Sequence, residues 1–311
     1  MTARFILSLD CEGKWGVADH LTPADHAGLS DERLRKAYGD ILSLLDEFDL
    51  PATFAFVGCF SLNAGALADL RPDLKGAYVA PAIADAFEGS RQGWTGDWAL
   101  EAVQAAAQAH EIGLHGVTHT PWNQLREAEA RAEMDLFYRS GAPMLKGVTT
   151  WIYPRNAQAH EAVLDEFGIA GLREERTATS RILRLAGEFN LWSQPDTDLA
   201  DGAPLRIPPG HFVNWRSGPR RAVPVAVSVD RARRMLAYAD RIGGVVHYWT
   251  HPENIATAPE TLSVLRGIVE AAARMRDAGR CDVLTQDAYC RSRAPEHVTA
   301  CEARRDRKLR D

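Results

Sequence analysis

Short apolar runs alternate along this chain with longer stretches whose apolar residues recur every three or four positions. The runs predict buried β-strands, and the periodic stretches predict amphipathic helices. Strands are predicted at residues 4–9, 52–57, 112–114, 149–154, 169–172, 205–208, 245–249 and 282–285. Helices are predicted at residues 30–48, 97–109, 123–139, 230–242 and 257–275, with a further helix ending at 167. Residues 61–95 and 173–204 show no clear period.

The alternation of strands and helices, without an internal repeat or a linker, indicates a parallel α/β architecture. Chemically reactive side chains follow the predicted strands, and in a (β/α) barrel the loops after the strands share one face. The sequence therefore predicts a single-domain, distorted or incomplete (β/α) barrel with parallel strands over residues 1–295. Residues 296–311 are predicted to form a basic C-terminal tail that is solvated or frayed. A docking patch for an anionic membrane or substrate is the alternative for this tail.

Composition narrows the function classes. The chain has 46% hydrophobic and 25% charged residues, as an ordinary globular protein has, and its net charge of −6 gives no support to nucleic-acid binding. The sequence has no apolar run long enough for a membrane span and no signal-peptide segment, so a cytoplasmic location is expected. Five cysteines without C-x-x-C spacing suit free thiols in a reducing compartment. The oligomeric state stays open, with a dimer as one option.

Two carboxylates and two histidines form the first candidate site. Asp10 and Glu12 follow the first strand, and side chains two positions apart on a strand point the same way. His115 and His119 lie four residues apart after the strand at 112–114. Two imidazoles and a carboxylate can hold one divalent cation, which leaves the other carboxylate free as a general base. The alternative is a pair of solvated turn carboxylates and two structural histidines.

A second histidine pair and a cluster of aromatic residues lie near the same predicted loops. His247 and His251 are also four residues apart and form a rival metal pair, although His251 is the better functional candidate because it ends its strand. Indole faces at a polar site suit stacking on a sugar ring. The candidate substrate-binding residues are Trp15, Trp122, Trp151, Asn156, His211, Trp215 and Trp249. The H-E dipeptide at 110–111 is not a zincin motif, because position 114 is leucine.

Five segments together resemble the NodB-homology polysaccharide deacetylases, which are similar to the family 4 carbohydrate esterases. They are S-L-D-C-E at 8–12, A-T-F-A-F-V-G at 52–58, H-E-I-G-L-H-G-V-T-H at 110–119, Y-P-R-N at 153–156 and H-Y-W-T-H-P-E-N at 247–254. The chain looks most like the branch found in cell-surface polysaccharide gene clusters. The resemblance implies a distorted barrel and metal-dependent hydrolysis of an N-acyl group, acetyl or formyl, on an amino sugar. With a cytoplasmic location, the expected substrate is a small nucleotide-linked or lipid-linked precursor.

The resemblance also implies a role for individual residues. Asp10 resembles the catalytic base, His251 the general acid that protonates the leaving amine, and Arg155 the arginine that orients the base. The implied ligands of Zn²⁺, or of Co²⁺, Mn²⁺ or Ni²⁺, are Glu12, His115 and His119. The chain departs from the common pattern at Cys11, which stands where the family has an aspartate and is an alternative soft zinc ligand. It departs again at Y-P-R-N, which replaces the commoner R-x-P-Y form.

Two other functions remain open at this point. Some members of the same superfamily open cyclic amides or ureides, as allantoinases do, without a metal. From another class, the chain could be an inactive carbohydrate-binding protein with a degenerate site.

Overall fold

The strands in the described part of the chain form one parallel sheet. The structure, a computed structural model, describes residues 2–76, 78–89, 91–175, 187–189, 193–196 and 202–310. The strands are β1 (Ala3–Cys11), β2 (Thr53–Phe56), β3 (Glu111–Leu114), β4 (Thr150–Trp151), β5 (Gly171–Arg173), β6 (Leu205–Ile207), β7 (His211–Phe212), β8 (Val245–Thr250) and β9 (Cys281–Leu284). Their order is β6-β5-β4-β3-β2-β1-β8-β7, and β9 also pairs with β1.

The sheet curls into a barrel that stays open on one side. β1 is central: β8 pairs along one edge, while β9 and β2 share the other, at residues 3–6 and 8–11 respectively. The hydrogen-bonded order ends at β6 and β7, and these two strands do not pair with each other in the described residues. The predicted incomplete (β/α) barrel with parallel strands is therefore confirmed.

Helices surround the sheet. They are α1 (Pro23–Gly28), α2 (Asp31–Glu47), α3 (Ala64–Leu70), α4 (Ala80–Glu88), α5 (Asp97–Gln104), α6 (Glu127–Arg139), α7 (Glu161–Glu166), α8 (Val225–Ile242), α9 (Pro252–Thr257), α10 (Thr261–Asp277), α11 (Gln286–Arg293) and α12 (Pro295–Lys308). The Ser30 side chain caps the start of α2, and Gly243 ends α8 with a φ of 70°. None of the described helices has both the length and the apolar character that a membrane crossing requires.

The two faces of β1 have different surroundings. Leu7, Leu9 and Cys11 belong to the large apolar core that includes the surrounding helices. Ser8 and Asp10, on the alternate positions, are buried polar residues. Because side chains alternate along a strand, this pattern directs Asp10 into the barrel interior and keeps Cys11 outside it.

The basic C-terminal segment is folded. Val298 and Cys301 of α12 are fully buried in a second apolar cluster, together with residues of α11, β1, β6 and β8. Arg305 is 5% exposed and donates to the Val148 carbonyl oxygen at 3.0 Å, while Lys308 pairs with Glu166 at 2.9 Å. The expectation of a frayed tail is wrong for 295–308, because the segment forms an amphipathic helix that buries one side against the barrel.

All five cysteines are free and buried, which confirms the prediction of free thiols. They lie in both apolar clusters. Burial raises the pKa of each thiol above its ordinary value, to about 12 for Cys281 and about 11 for Cys301.

Candidate metal and catalytic site

Glu12, His115 and His119 meet at the carboxyl ends of β1 and β3. The Glu12 Oε1 atom lies 3.0 Å from the Nε2 atom of each histidine. One ligand atom from each residue lies within 4.8 Å of the other two, as one bound cation requires. A side chain on Gly16 would collide with Glu12, because an added Cβ would lie 1.8 Å from Oε2. The sequence thus leaves room for the carboxylate to turn towards the histidines.

Each imidazole also forms a hydrogen bond through Nδ1, on the side away from Glu12, and this bond bears on which nitrogen carries the proton. His115 Nδ1 lies 2.9 Å from the Ile152 carbonyl oxygen, which can only accept, so Nδ1 carries a proton. In a neutral His115 the bare Nε2 then faces a carboxylate oxygen, and two acceptors at 3.0 Å need a positive charge between them. His119 Nδ1 lies 3.1 Å from the Tyr78 hydroxyl, which can accept its proton in the same way. The donor set therefore fits a divalent cation.

The loop that carries His119 is held in an unusual backbone conformation. His119 has a φ of 62° and Gly116 a φ of 71°, both in the left-handed region. A side chain at Gly116 would lie 2.5 Å from the Pro154 ring. Glu133 of α6 accepts hydrogen bonds from the Thr118 backbone N–H at 2.9 Å and from the Trp122 indole at 3.0 Å. These contacts hold the loop in its strained conformation, which would otherwise relax.

Asp10 is paired with an arginine that the sequence analysis missed. Arg173, at the end of β5, donates from Nη1 to Asp10 Oδ1 at 2.8 Å and from Nη2 to Oδ2 at 2.7 Å. Burial alone would raise the pKa of Asp10, but the charge of Arg173 and the nearby imidazoles hold it below its ordinary value. Asp10 is therefore ionised at neutral pH and is a suitable general base.

The prediction that Arg155 orients Asp10 is wrong in this structure. Arg155 and Asn156 both have a φ of 55°, and this left-handed turn directs the arginine away from the barrel interior. Arg155 instead pairs with Asp19 at 2.6 Å and lies over the ring of Tyr78. It lines the cavity mouth, where a substrate could contact it.

His251 approaches the same Glu12 oxygen as the other two histidines. Its Nε2 is 3.3 Å from Glu12 Oε1, and with Asp10 and Glu12 it forms a second set of ligand atoms close enough to hold a cation. Burial would lower the pKa of His251, but the charges of Glu12, Asp10 and Glu253 raise it to about 9. The neighbouring carboxylates therefore favour the protonated imidazole, which is the form that a general acid needs.

A cavity of about 300 Å³ opens above these groups. Its lining consists of Asp10, Glu12, Gly16, Val17, His20, His115, His119, Tyr153, Arg155, Asn156, Trp249 and His251. Eight of the predicted site residues are in this lining. They are Asp10, Glu12, His115, His119, Arg155, Asn156, His251 and Trp249.

The other predicted substrate-binding residues do not line this cavity. Trp15, Trp122 and Trp151 are fully buried, because their rings pack against other aromatic rings in the core. His211 packs beside Tyr248, since β7 pairs with β8 at that register. Trp215 follows β7 and is partly buried, away from the lining. The substrate-binding prediction is therefore wrong for the three buried tryptophans, and for His211 and Trp215, which lie outside this lining, it stays a prediction.

The two alternative ligands are also placed elsewhere. Cys11 lies on the outer face of β1, fully buried in the core, and its Sγ is 3.6 Å from the Leu9 carbonyl oxygen. His247 is fully buried in the barrel, between the Ser8 hydroxyl and the Pro208 carbonyl oxygen. Neither belongs to a group of ligand atoms that could hold a cation among the described residues.

Several site residues escaped the sequence analysis. Arg173 follows a predicted strand directly, and the rule that found Asp10 could have found it as well. Glu253 accepts from the backbone N–H groups of Glu12 and Gly13, at 3.1 and 2.6 Å, and so holds the ligand loop. Tyr78 comes from the irregular stretch 61–95, where no sequence signal could have located it.

Comparison with known proteins supports the fold. No family model matches the chain, and no curated protein matches it. A candidate polysaccharide deacetylase from Mycobacterium smegmatis aligns with a TM-score of 0.58 and 18% identity, over 96% of this chain and 91% of that one. A candidate polysaccharide deacetylase from Pseudomonas aeruginosa PAO1 aligns with a TM-score of 0.52 and 15% identity, over 95% and 91%. The Puue allantoinase aligns with a TM-score of 0.50 and 16% identity, over 95% and 91%.

These likenesses define the class of fold. The chain has the fold of the polysaccharide deacetylases, the NodB-homology fold that its sequence motifs resemble. At such low identity the comparisons concern the fold alone, and the function has to be argued from the site.

Proposed function

We propose that this protein is a metal-dependent hydrolase that removes an N-acyl group from an amino sugar. The observation that carries the proposal is the convergence of the Nε2 atoms of His115 and His119 on one carboxylate oxygen of Glu12, at 3.0 Å each. Asp10, whose pKa is held below its ordinary value, and His251, whose pKa is raised, line the same cavity. Base, ligands and acid are the groups that amide hydrolysis needs.

In the proposed mechanism Asp10 and His251 share the proton transfers. Asp10, held by Arg173, removes a proton from the attacking water. His251 gives its proton to the departing nitrogen, so that a free amine and acetate or formate leave. Glu12, His115 and His119 would hold the cation, and Zn²⁺, Co²⁺, Mn²⁺ or Ni²⁺ all accept this nitrogen and oxygen set. When bound, the cation supplies Lewis-acid polarisation of the amide carbonyl and lowers the pKa of water.

For the substrate, we infer a small N-acetyl or N-formyl amino sugar, carried as a nucleotide-linked or lipid-linked precursor. The cavity volume of about 300 Å³ is at the lower end of ligand pockets, which favours one sugar unit over an extended polymer segment. Trp249, which is partly exposed in its lining, offers an aromatic surface for a sugar ring.

A cyclic amide or ureide is the second candidate substrate, because the fold also matches that of an allantoinase. A metal-free version of that reaction would give Glu12, His115 and His119 no cation to hold. Metal content therefore separates the two candidates.

The first experiment measures metal content and amine release together. Wild type purified without chelator is expected to hold about one divalent ion per chain, and His115→Ala/His119→Ala is expected to lose it. His110→Ala is the matched control, because His110 lies outside the cavity and bonds to the Ala52 backbone. Amine release from a panel of N-acetyl and N-formyl amino sugars should fall about 10²–10⁴-fold in Asp10→Asn with the metal retained. A wild type that binds no metal after reconstitution contradicts the proposal.

A further inference from the structure

A continuous chain of buried polar groups lies beneath Asp10 in the barrel interior. Arg173 Nη1, already bound to Asp10, also lies 3.3 Å from the Ser8 hydroxyl. The same hydroxyl lies 2.9 Å from His247 Nε2, and His247 Nδ1 lies 2.7 Å from the Pro208 carbonyl oxygen. Ser8 and His247 are fully buried, and Asp10 and Arg173 are each 2% exposed.

The proton positions along this chain follow from its two ends. The Pro208 carbonyl can only accept, so His247 Nδ1 carries a proton and, in the neutral ring, Nε2 is an acceptor. The Ser8 hydroxyl therefore donates to His247 Nε2, and its oxygen lone pairs are free to accept from Arg173. Each donor meets an acceptor, and every bond runs from the guanidinium towards the Pro208 carbonyl.

The chain joins parts of the barrel that the sheet does not hold next to each other. Arg173 ends β5, whereas Ser8 and Asp10 belong to β1, three strands separating the two in the sheet order. His247 belongs to β8, and Pro208 directly follows β6, the other end of the open sheet. The backbone leaves space for the ring: Gly210 has a φ of 72°, and a Cβ there would lie 2.9 Å from His247 Cγ.

The remaining contacts of Arg173 restrict its guanidinium only partly. Its Nη2 lies 3.3 Å from Asn156 Oδ1, and the Trp249 ring covers one face at 4.7 Å. Its Nε has no hydrogen-bond partner among the described residues. The Ser8 hydroxyl is therefore the second contact of Nη1, in addition to its 2.8 Å bond to Asp10 Oδ1.

We propose that Ser8 and His247 are positioning residues that lock Arg173 and thereby aim the Asp10 carboxylate into the cavity. The proposal rests on the proposed function, in which Asp10 is the base. A carboxylate displaced by about 1 Å can lose about a hundredfold in rate, because proton transfer depends on the alignment of donor and acceptor. An apolar residue at position 8 would bury no polar group of its own. The Ser8 hydroxyl is therefore best explained by its contact with Arg173, which it helps to place.

The test compares Ser8→Ala with Ser8→Thr, which retains a hydroxyl, and with Ser228→Ala as control. Ser228 is a buried serine of α8 whose hydroxyl has no partner in the described residues, so its loss reports removal of a buried hydroxyl alone. On a substrate found in the amino-sugar panel, Ser8→Ala is expected to lower kcat about tenfold with KM and metal content unchanged. Ser8→Thr is expected to recover most of that loss, and Ser228→Ala to stay near wild type.

Nuclear magnetic resonance of the side chains provides a readout that needs no substrate. In wild type, the ¹⁵N shifts of His247 should show a neutral ring protonated at Nδ1, and rotation of the Arg173 guanidinium should be slow. Ser8→Ala should speed that rotation and shift His247 Nε2, whereas Ser228→Ala should do neither.

The outcomes separate this proposal from the proposed function. An Arg173 rotation unchanged in Ser8→Ala, or a kcat that falls no more than in the control, overturns the positioning role even if the enzyme is an active deacetylase. A wild type that binds no metal and releases no amine overturns the proposed function, whatever the resonances of Arg173 show.

Discussion

Two arginines near the cavity differ in how they are held. Arg173 is buried with its guanidinium against both oxygens of Asp10, and its side chain is 1% exposed. Arg155 pairs with Asp19 at the cavity mouth, and its side chain is 39% exposed. Charges in water attract each other weakly, whereas a buried charge depends strongly on its partner. The two residues therefore make different contributions to stability and rate.

Substitution of these arginines should separate the two roles. Arg173→Ala leaves a buried carboxylate unpaired and is expected to lower the free energy of unfolding by about 3–5 kcal/mol. Arg155→Ala removes an exposed pair and is expected to cost about 0–1 kcal/mol. Urea unfolding of both variants measures the difference. Equal losses in the two variants would show that Arg173 is not the buried partner of Asp10.

The same contrast shows what sequence reasoning can reach at single residues. Asp10, Glu12, His115 and His119 were found because they directly follow short apolar strands, and strand ends meet at one face. Arg155 also follows a strand, but its left-handed backbone turns it outwards, and no local pattern predicts that turn. The tryptophans could not be sorted from sequence, since an indole suits a core and a sugar site equally well.

At the scale of elements, Glu111 connects three strands and one helix. It begins β3 and accepts hydrogen bonds from Thr53 of β2 at 2.7 Å, from Thr150 of β4, and from the Asp287 backbone N–H of α11 at 2.8 Å. Burial raises its pKa to about 7, although these hydrogen bonds act in the opposite direction. The carboxyl therefore takes up a proton more readily in the folded chain than in the unfolded chain.

This shift predicts a pH dependence of stability. The folded pKa is about 7 and the ordinary value is 4.5, so the contribution of Glu111 is most favourable below pH 4.5 and decreases as pH rises through 7. Glu111→Gln should remove this decrease in stability. The difference in unfolding free energy, variant minus wild type, should therefore rise by up to about 3 kcal/mol between pH 4.5 and 8. Thermal unfolding across this range measures the difference. A constant difference at all pH values would contradict the raised pKa.

The helices and strands differ in how well they can be predicted from their own sequences. The long helices α2 and α10 carry apolar residues at helical spacing, and most of those residues are buried. The helix α11 has only a few buried residues among polar ones, and β7 has two residues, so neither gives a period to detect. Short elements of this kind form because tertiary contacts hold them, which local sequence does not record.

At the scale of the whole molecule, the C-terminal helix α12 acts as part of the barrel. A chain truncated after Ala294 loses the buried Val298 and Cys301 and exposes the apolar cluster beneath them. Each fully buried apolar side chain contributes about 1.5–3 kcal/mol, so the truncation should cost about 3 kcal/mol or more.

The control for this prediction is a truncation after Lys308, which keeps all of α12. Its melting temperature should stay near that of the full chain, while that of the longer truncation should fall by several degrees. Equal melting temperatures for the two truncated chains would show that residues 295–308 contribute no stability, as expected of a frayed tail.

The barrel itself was predictable because alternating strands and helices leave few topologies. An incomplete barrel was expected, but the position of its open side was not, since the gap depends on β6 and β7, which do not pair across the segment at 208–210. The domain boundary drawn at residue 295 stays a prediction.

The burial of all five thiols has a practical consequence for spectroscopy. Thiolates are the species that alkylating reagents attack, and a buried thiol with a raised pKa forms few of them. One cysteine introduced at the cavity mouth, for instance at His20, whose side chain is 57% exposed, would then be the single fast-reacting position in the folded chain. A fluorophore attached there would report substrate entry without the replacement of any native cysteine.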